Sequence, residues 1–422
     1  MVAEVSGYVR GLNAGLPRSV YVLQSGLVLN ALGNGAAAPF LVIYLHDVRG
    51  LSLGVAGLAG STGASCALAS ALVAGAVGDR FGARPTMVAG LLLSTSAYVL
   101  YPLVREPWHA FALAAVAGCG IGTWLTMQSS LLAAITPPEL RHAAFAQQRV
   151  AANLGLGLGG MTGGLLVTVS HPDSFTRLFA LNAATFLVYS VFVLRLPSLH
   201  LARATIASGR GYRDVLRDRA LRSVALVQFL LVTGGVALLA SLFPVFAHNH
   251  AGVDERTIGL LFLLNSLLII FAQLPIAKAH EGHWRMAGLA LTGALFAASW
   301  LLVLASAAFS PTTAVAVLVL AVLAFAVGEC VYDTVYGPLV ADLAPDDARG
   351  RYMAVSGFSW QLGFIAGPGL GGLLLAFAGG ALWVVAAGVC LAAAAVAIAS
   401  EHAIPPAYRR TPKREVTASP RR

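Results

Sequence analysis

Two carboxylates, Glu329 and Asp333, stand one helical turn apart in "AVGECVYDTVYGP" (326–338), directly after "AVAVLVLAVLAFAV" (314–327), which has no polar side chain. A spacing of four residues puts both acids on one face of a helix. Desolvation and mutual repulsion both oppose ionising two such neighbours together. The pair therefore reads as a place that holds and releases a proton, or that attracts a cation. The competing reading is structural, with one acid bonded to Arg149 or to the backbone of an adjacent segment.

Further polar residues interrupt apolar stretches at helical spacing. Asn30 and Asn34 share one face, as do Trp124 and Gln128, and Tyr332 and Tyr336. Trp360 with Gln361, Asn182 and Asn265 complete the set. Each one alone suits an interhelical hydrogen bond. Together, aromatics and amides beside one or two acids suit an amphipathic or cationic organic molecule. His46 beside Asp47, and "HNH" (248–250), supply metal-ligand types, but no complete ligand set converges in sequence, so no metal is assigned. No cofactor is assigned either. The four cysteines are widely spaced within apolar stretches and read as small packing residues.

The elements that hold these residues follow from composition. The 422 residues are 58% hydrophobic and 11% charged, against about 25% charged in soluble domains. Apolar runs long enough to cross roughly 30 Å of hydrocarbon recur. They predict twelve spans: 20–45, 53–77, 85–104, 109–134, 143–170, 176–196, 221–246, 257–278, 284–307, 312–340, 353–377 and 379–399. An alternating barrel pattern is absent, and Glu4, Arg10 and Arg18 argue against a cleaved signal peptide.

The net charge of +9 is a matter of orientation rather than nucleic-acid binding. Among 27 Lys and Arg, only Arg49, Arg105, Arg177 and Arg256 lie in or beside odd-numbered loops. The remainder favours both termini and the even-numbered loops, which predicts that both termini are cytoplasmic in a multi-pass plasma (inner) membrane protein. On depth, about 1.5 Å per residue puts Glu329 about 16 Å and Asp333 about 10 Å from the end of span 10. A charge there costs at least about 2.5–3.5 kcal/mol unless it meets water or a partner.

The hydrophilic stretch 197–220 separates six spans from six. The predicted divisions are a bundle over 1–196, a cytoplasmic linker over 197–220 with a short amphipathic helix around 212–220, a bundle over 221–400, and a basic, disordered tail over 401–422. A shift of 208 residues lays 126–167 over 334–375 without a gap, with 13 of 42 positions identical. Pro137 falls on Pro345 and Arg141 on Arg349. Two copies of one six-helix unit form the layout in which a pathway runs between halves. The shift also aligns Gly155, Gly159, Gly163 and Gly164 with Gly363, Gly367, Gly371 and Gly372, and Gly160 with Pro368. These glycines lie inside apolar helices, where they serve close helix packing rather than a nucleotide turn.

After span 2 comes "GAVGDRFGARPTM" (75–87). Gly75, Asp79, Arg80, Phe81, Gly82 and Arg84 match the pattern G-x-x-x-D-R-F-G-x-R, which resembles the signature loop of the major facilitator superfamily. The fifth-span glycines, "GAAAPFLVIYL" (35–45) and "GECVYDTVYGPLVADLAPDDARGRY" (328–352) resemble its twelve-helix drug:proton antiporter branch. The resemblance implies an all-α polytopic fold of two pseudo-symmetric six-helix bundles. It also implies a gating role for Gly75, Asp79, Arg80, Gly82 and Arg84, and a central cavity beside span 10.

Three positions depart from the family pattern: Ala83 stands at a usually basic position, Gly160 at a usual proline, and span 4 lacks an arginine near Ala114 or Ala115. The last bears on the usual proton-relay account and leaves Arg149 as the nearest intramembrane arginine. The expected function is alternating-access transport, with proton-coupled export of a hydrophobic or cationic small molecule. The transport alternative is symport of a sugar, osmolyte or organic anion. A membrane enzyme would need a catalytic domain or nucleophile set, neither of which is evident. A scaffold on the same fold is the other class. Expected partners are a small-molecule substrate, protons and the bilayer, with the chain a monomer that binds no nucleic acid.

Overall fold

The computed structural model describes residues 15–196, 212–345 and 348–412. The linker residues 197–211 and the tail residues 413–422 lie outside this description. Among the described residues, eleven helices are long and apolar enough to cross a membrane. They are α1 (Arg18–Val48), α2 (Leu53–Phe81), α3 (Ala83–Leu103), α4 (Pro107–Ile135), α6 (Asp173–Leu194), α7 (Arg219–Ser241), α8 (Glu255–Ala279), α9 (Arg285–Ser306), α10 (Pro311–Leu343), α11 (Arg349–Ala378) and α12 (Ala381–Ala399). The helix α5 (Arg141–Leu166) packs among them at comparable length, yet it falls outside that set of eleven. Its first turns carry Arg141, His142, Gln147, Gln148 and Arg149. Span 7 continues past α7 into the short helix Phe243–Asn249.

Apolar composition makes these segments helical, because a backbone in hydrocarbon must satisfy its own hydrogen bonds. Boundaries follow local chemistry. Ser52 and Asp254 cap α2 and α8 by accepting the amides of Val55 and Thr257. Gly82 turns α2 into α3 with φ +95°, a conformation that side chains rarely adopt.

Helices α1–α6 and α7–α12 pack as two six-helix halves. They meet through α2 with α11 and α5 with α8. The turns holding Gly82 and His280–Trp284 lie on the linker's side, here the linker face; the turns near Gly50 and Gly252 lie on the far face. In the first half, Tyr44, Phe175, Phe179, Tyr98 and Phe186 make the aromatic core. In the second, Phe296 stacks on Phe325 at 4.0 Å, and Trp300 lies against Trp383.

The repeat is visible in the packing. A Cβ at Gly155, Gly159 or Gly163 would strike α1, and one at the mates Gly363, Gly367 or Gly371 would strike α7. Gly164 instead abuts Glu255 and Gly259 of α8, while Gly372 abuts Leu53 and Gly57 of α2. Pro368 presents its carbonyl to Gly57. One glycine face thus packs within each half and the adjacent face packs between halves.

The expected disorder of 401–422 does not hold for its first part. Residues 401–412 form a strap of short 3-10 turns with one antiparallel bridge, Trp284 to Arg410. Ile404 is fully buried, the Thr411 hydroxyl donates to the His280 carbonyl at 2.5 Å, and the Arg410 guanidinium lies 4.4 Å from the Trp284 ring centre. One apolar anchor and paired backbone overcome the chain entropy that a polar, Pro-rich composition suggests. The short helix expected near 212–220 is one turn, Tyr212–Val215, before α7.

Candidate functional site

Helices α5 and α10 bring together the three residues singled out for proton chemistry. Arg149 Nη2 donates to Asp333 Oδ2, an ion pair that joins the two halves. The Asp333 side chain is 11% exposed and that of Arg149 62%, so the arginine is open to its surroundings while it grips a largely covered acid. Glu329, one turn deeper, accepts a 3.5 Å hydrogen bond from Asn265 Nδ2 of α8. The neighbouring Gln273 donates to the Cys330 carbonyl and the Thr334 hydroxyl, both at 3.2 Å, and ties α8 to the acid-bearing stretch of α10. Arg149 comes from one half, and Asn265 with both acids from the other.

The remaining candidates divide by burial. Asn34, Trp360, Gln361 and Asn265 are part-exposed, whereas Asn30, Trp124, Gln128, Asn182, Tyr332 and Tyr336 are buried. Tyr332 stacks on Tyr336 at 5.0 Å and lies 6.3 Å from Trp360, which gives a continuous aromatic face on α10 and α11. The Tyr336 hydroxyl donates to Gln228 Oε1 of α7, and Ser356 closes that network.

In the other half Asn34 Nδ2 donates to both oxygens of Asn30 at 3.2 Å. Trp124 turns toward Phe186 and Tyr189 inside its own bundle. Both amide atoms of Gln128 and the Trp124 indole nitrogen are buried with no hydrogen-bond partner among the described residues, and Asn182 is buried beside Tyr98.

In the signature loop, Asp79 and Arg80 are exposed, and Arg80 lies 5.2 Å from the Phe81 ring centre. Gly75 has open space where a Cβ would stand. Arg84 donates to the Leu194 and Leu196 carbonyls, which binds the loop to the end of α6. The histidines weighed as metal ligands face carbonyls instead: His46 Nδ1 is 2.8 Å from the Leu51 oxygen and His248 Nδ1 is 3.3 Å from that of Val253.

Sequence reading missed several polar contacts. Arg285 is 1% exposed and pairs with Asp342 at 2.6 Å on the linker face. Tyr352 donates to Asp218 at 2.5 Å. Between the halves, Ser61 donates to the Ile365 carbonyl at 2.5 Å, Glu255 accepts the Val169 amide at 2.8 Å, and Asn249 donates to Asp47 at 3.0 Å. These last three lie toward the far face. These hydrogen bonds between the halves gather toward the far face, and the ion pair of Arg149 with Asp333 joins the halves nearer mid-span.

A helical membrane protein of two related halves, with charged groups meeting between them at mid-span, has the architecture of a secondary carrier. Comparison with known proteins gives the family. The chain matches the family model for the Major Facilitator Superfamily over residues 25–328 and 252–422, and it belongs to that superfamily of transporters. It is 25% identical over 358 residues to the MFS-type transporter YqjV of Bacillus subtilis (strain 168), covering 83% of this chain and 84% of that one. It is 24% identical over 354 residues to the multidrug resistance protein MdtH of Shigella boydii serotype 4 (strain Sb227), with the same two coverages. A solved POT family transporter in complex with a thioalcohol-conjugated peptide shares the fold at TM-score 0.76 and 14% identity, over 92% of this chain and 97% of that one.

Proposed function

We propose that this transporter exports a hydrophobic or cationic small molecule across the plasma membrane in exchange for protons. The ion pair of Arg149 with Asp333, one turn from Glu329 and between the halves, carries the reading. Proton binding to an acid in this cluster weakens its hold on Arg149 or on a cationic substrate, so that the two cargoes compete for one site. The aromatic face of Tyr332, Tyr336 and Trp360 offers apolar and cation–π contact to such a substrate. The halves, residues 1–196 and 221–400, rock about this site as a monomer, with both termini and the linker face cytoplasmic. Each inward proton contributes about 2.3 kcal/mol per 100 mV of membrane potential. The multidrug relative MdtH supports the efflux direction at the level of family likeness.

The exposure of Arg149 favours a second reading, in which the arginine receives an organic anion that enters by symport. Reconstituted vesicles decide between them. Glu329→Gln and Asp333→Asn are each expected to abolish proton-driven efflux of a lipophilic cation in correctly inserted protein. If both variants keep coupled efflux, the proposal is wrong; acceleration of anion uptake by a proton gradient would establish the second reading.

A further inference from the structure

The turns that close span 1 and span 7 at the far face are copies of one device, related by a shift of 202 residues. "HDVRGLS" (46–52) falls on "HNHAGVD" (248–254). In each, the histidine Nδ1 faces the carbonyl five residues on, at 2.8 Å from Leu51 and 3.3 Å from Val253. In each, a glycine takes a positive φ, +69° at Gly50 and +65° at Gly252. The amides of Leu51 and Val253 donate to Leu45 and Ala247 at 3.0 Å, and Ser52 and Asp254 then cap the following helix.

The residues after the two histidines, Asp47 and Asn249, are therefore counterparts. They are hydrogen-bonded to each other, Asn249 Nδ2 to Asp47 Oδ1 at 3.0 Å. Two symmetry mates that touch lie on the axis relating them, as in an isologous contact. The pair thus sits where the approximate two-fold axis leaves the protein, far from the mid-span site about which the halves turn. Motion about that site separates the far-face ends of span 1 and span 7, and the bond cannot survive it.

We infer that Asp47 and Asn249 form the latch of the far-face gate. They are positioning residues that hold the mouth shut while the linker face is open. The inference rests on the alternating-access reading. Three features suit a contact that opens in every cycle. Asn249 is exposed, so water replaces Asp47 as soon as the halves part. Asp47 Oδ2 is buried without a partner, which offsets part of what the bond contributes. His46 Nε2 stands 4.0 Å from Asp47 Oδ1, beyond hydrogen-bond reach, whereas Asn249 Nδ2 is within it. Close by, Glu255 accepting the Val169 amide seals the flank between α5 and α8.

The test measures gate opening directly. Spin labels at Arg105→Cys and Phe309→Cys, in full-length protein whose four native cysteines are replaced, report the far-face distance between halves in lipid nanodiscs. Asp47→Leu and Asn249→Leu are each expected to raise the ratio of long to short distances by roughly tenfold at most and threefold at least. The exchange Asp47→Asn with Asn249→Asp keeps one donor and one acceptor and is expected to restore the wild-type distribution. An unchanged distribution in the leucine variants, or an exchange variant as open as they are, overturns the latch. Should a leucine variant fail to insert, a disulfide between Asp47→Cys and Asn249→Cys is expected to remove the long distances until it is reduced; persistence of both populations would count against the latch. Counterflow by the unmodified protein runs beside these measurements. Its absence would fell the transport reading, while the distances still decide the latch.

Discussion

At the scale of single residues, the two halves treat buried polarity differently. Tyr332 and Tyr336 are the repeat mates of Trp124 and Gln128. The Tyr336 hydroxyl is bonded to Gln228 and Ser356, whereas Gln128 has neither amide atom bonded although it is fully buried. An unsatisfied buried amide costs about 1–3 kcal/mol. Gln128→Leu is therefore expected to raise thermal stability by about 1 kcal/mol, read as the melting midpoint in detergent. A fall in that midpoint would show that an internal water or a substrate group satisfies the amide in the working protein. The acids stand apart from this logic, since Asp333 has its arginine and Glu329 its asparagine. The i,i+4 spacing of those acids was legible in the chain. Their partners were only partly so: Arg149 was a candidate, but nothing in its local sequence tells which acid it meets 184 residues away.

At the scale of elements, glycine placement separates stability from conformational choice. Gly159 packs within a half, with a Cβ only 2.2 Å from the Leu32 carbonyl oxygen. Gly372 packs between halves, with a Cβ 2.7 Å from the Leu53 carbonyl oxygen. Overpacking costs about 1–3 kcal/mol in either place. Gly159→Val is expected to lower the melting midpoint in every conformation. Gly372→Val instead shifts the far-face distance distribution toward the open form, since parting the halves relieves the clash. A Gly372→Val protein with the wild-type distribution would contradict the assignment of that face.

The C-terminal strap is an element too. Ile404 is its buried anchor, and the strap's Arg409 carbonyl accepts the amide of Arg285, whose side chain pairs with Asp342 at the end of α10. Ile404→Ala is expected to cost about 2 kcal/mol or more, measured as a lowered melting midpoint.

At the scale of the whole molecule, the basic residues and the signature loop share one face. The linker face bears the signature loop and the strap. Biased charge predicts that this side is cytoplasmic. In intact cells, a membrane-impermeant maleimide is expected to label Arg105→Cys but not Arg217→Cys, in a background without native cysteines. The opposite labelling would invert the topology. Under the proposed function, a mid-span site closed on the far face by Ser61, Glu255 and the Asp47–Asn249 pair is one end state of a carrier cycle.

The chain by itself determined what depends on local composition and spacing. Apolar runs must become helices because hydrocarbon offers a backbone no other partner. A repeated glycine, proline and arginine pattern carries two copies of one unit, and acids inside such a run must find water or a mate. Only the tertiary structure decided what depends on rotation and approach between distant segments. It chose Asp333 rather than Glu329 as the partner of Arg149. It turned Trp124 and Gln128 into their own bundle, ordered residues 401–412 against the turn before α9, and set Asp47 against its own repeat mate Asn249. The reason is the same in each case. Helix periodicity fixes which residues share a face, but the direction a face looks is set by the packing of all the helices together.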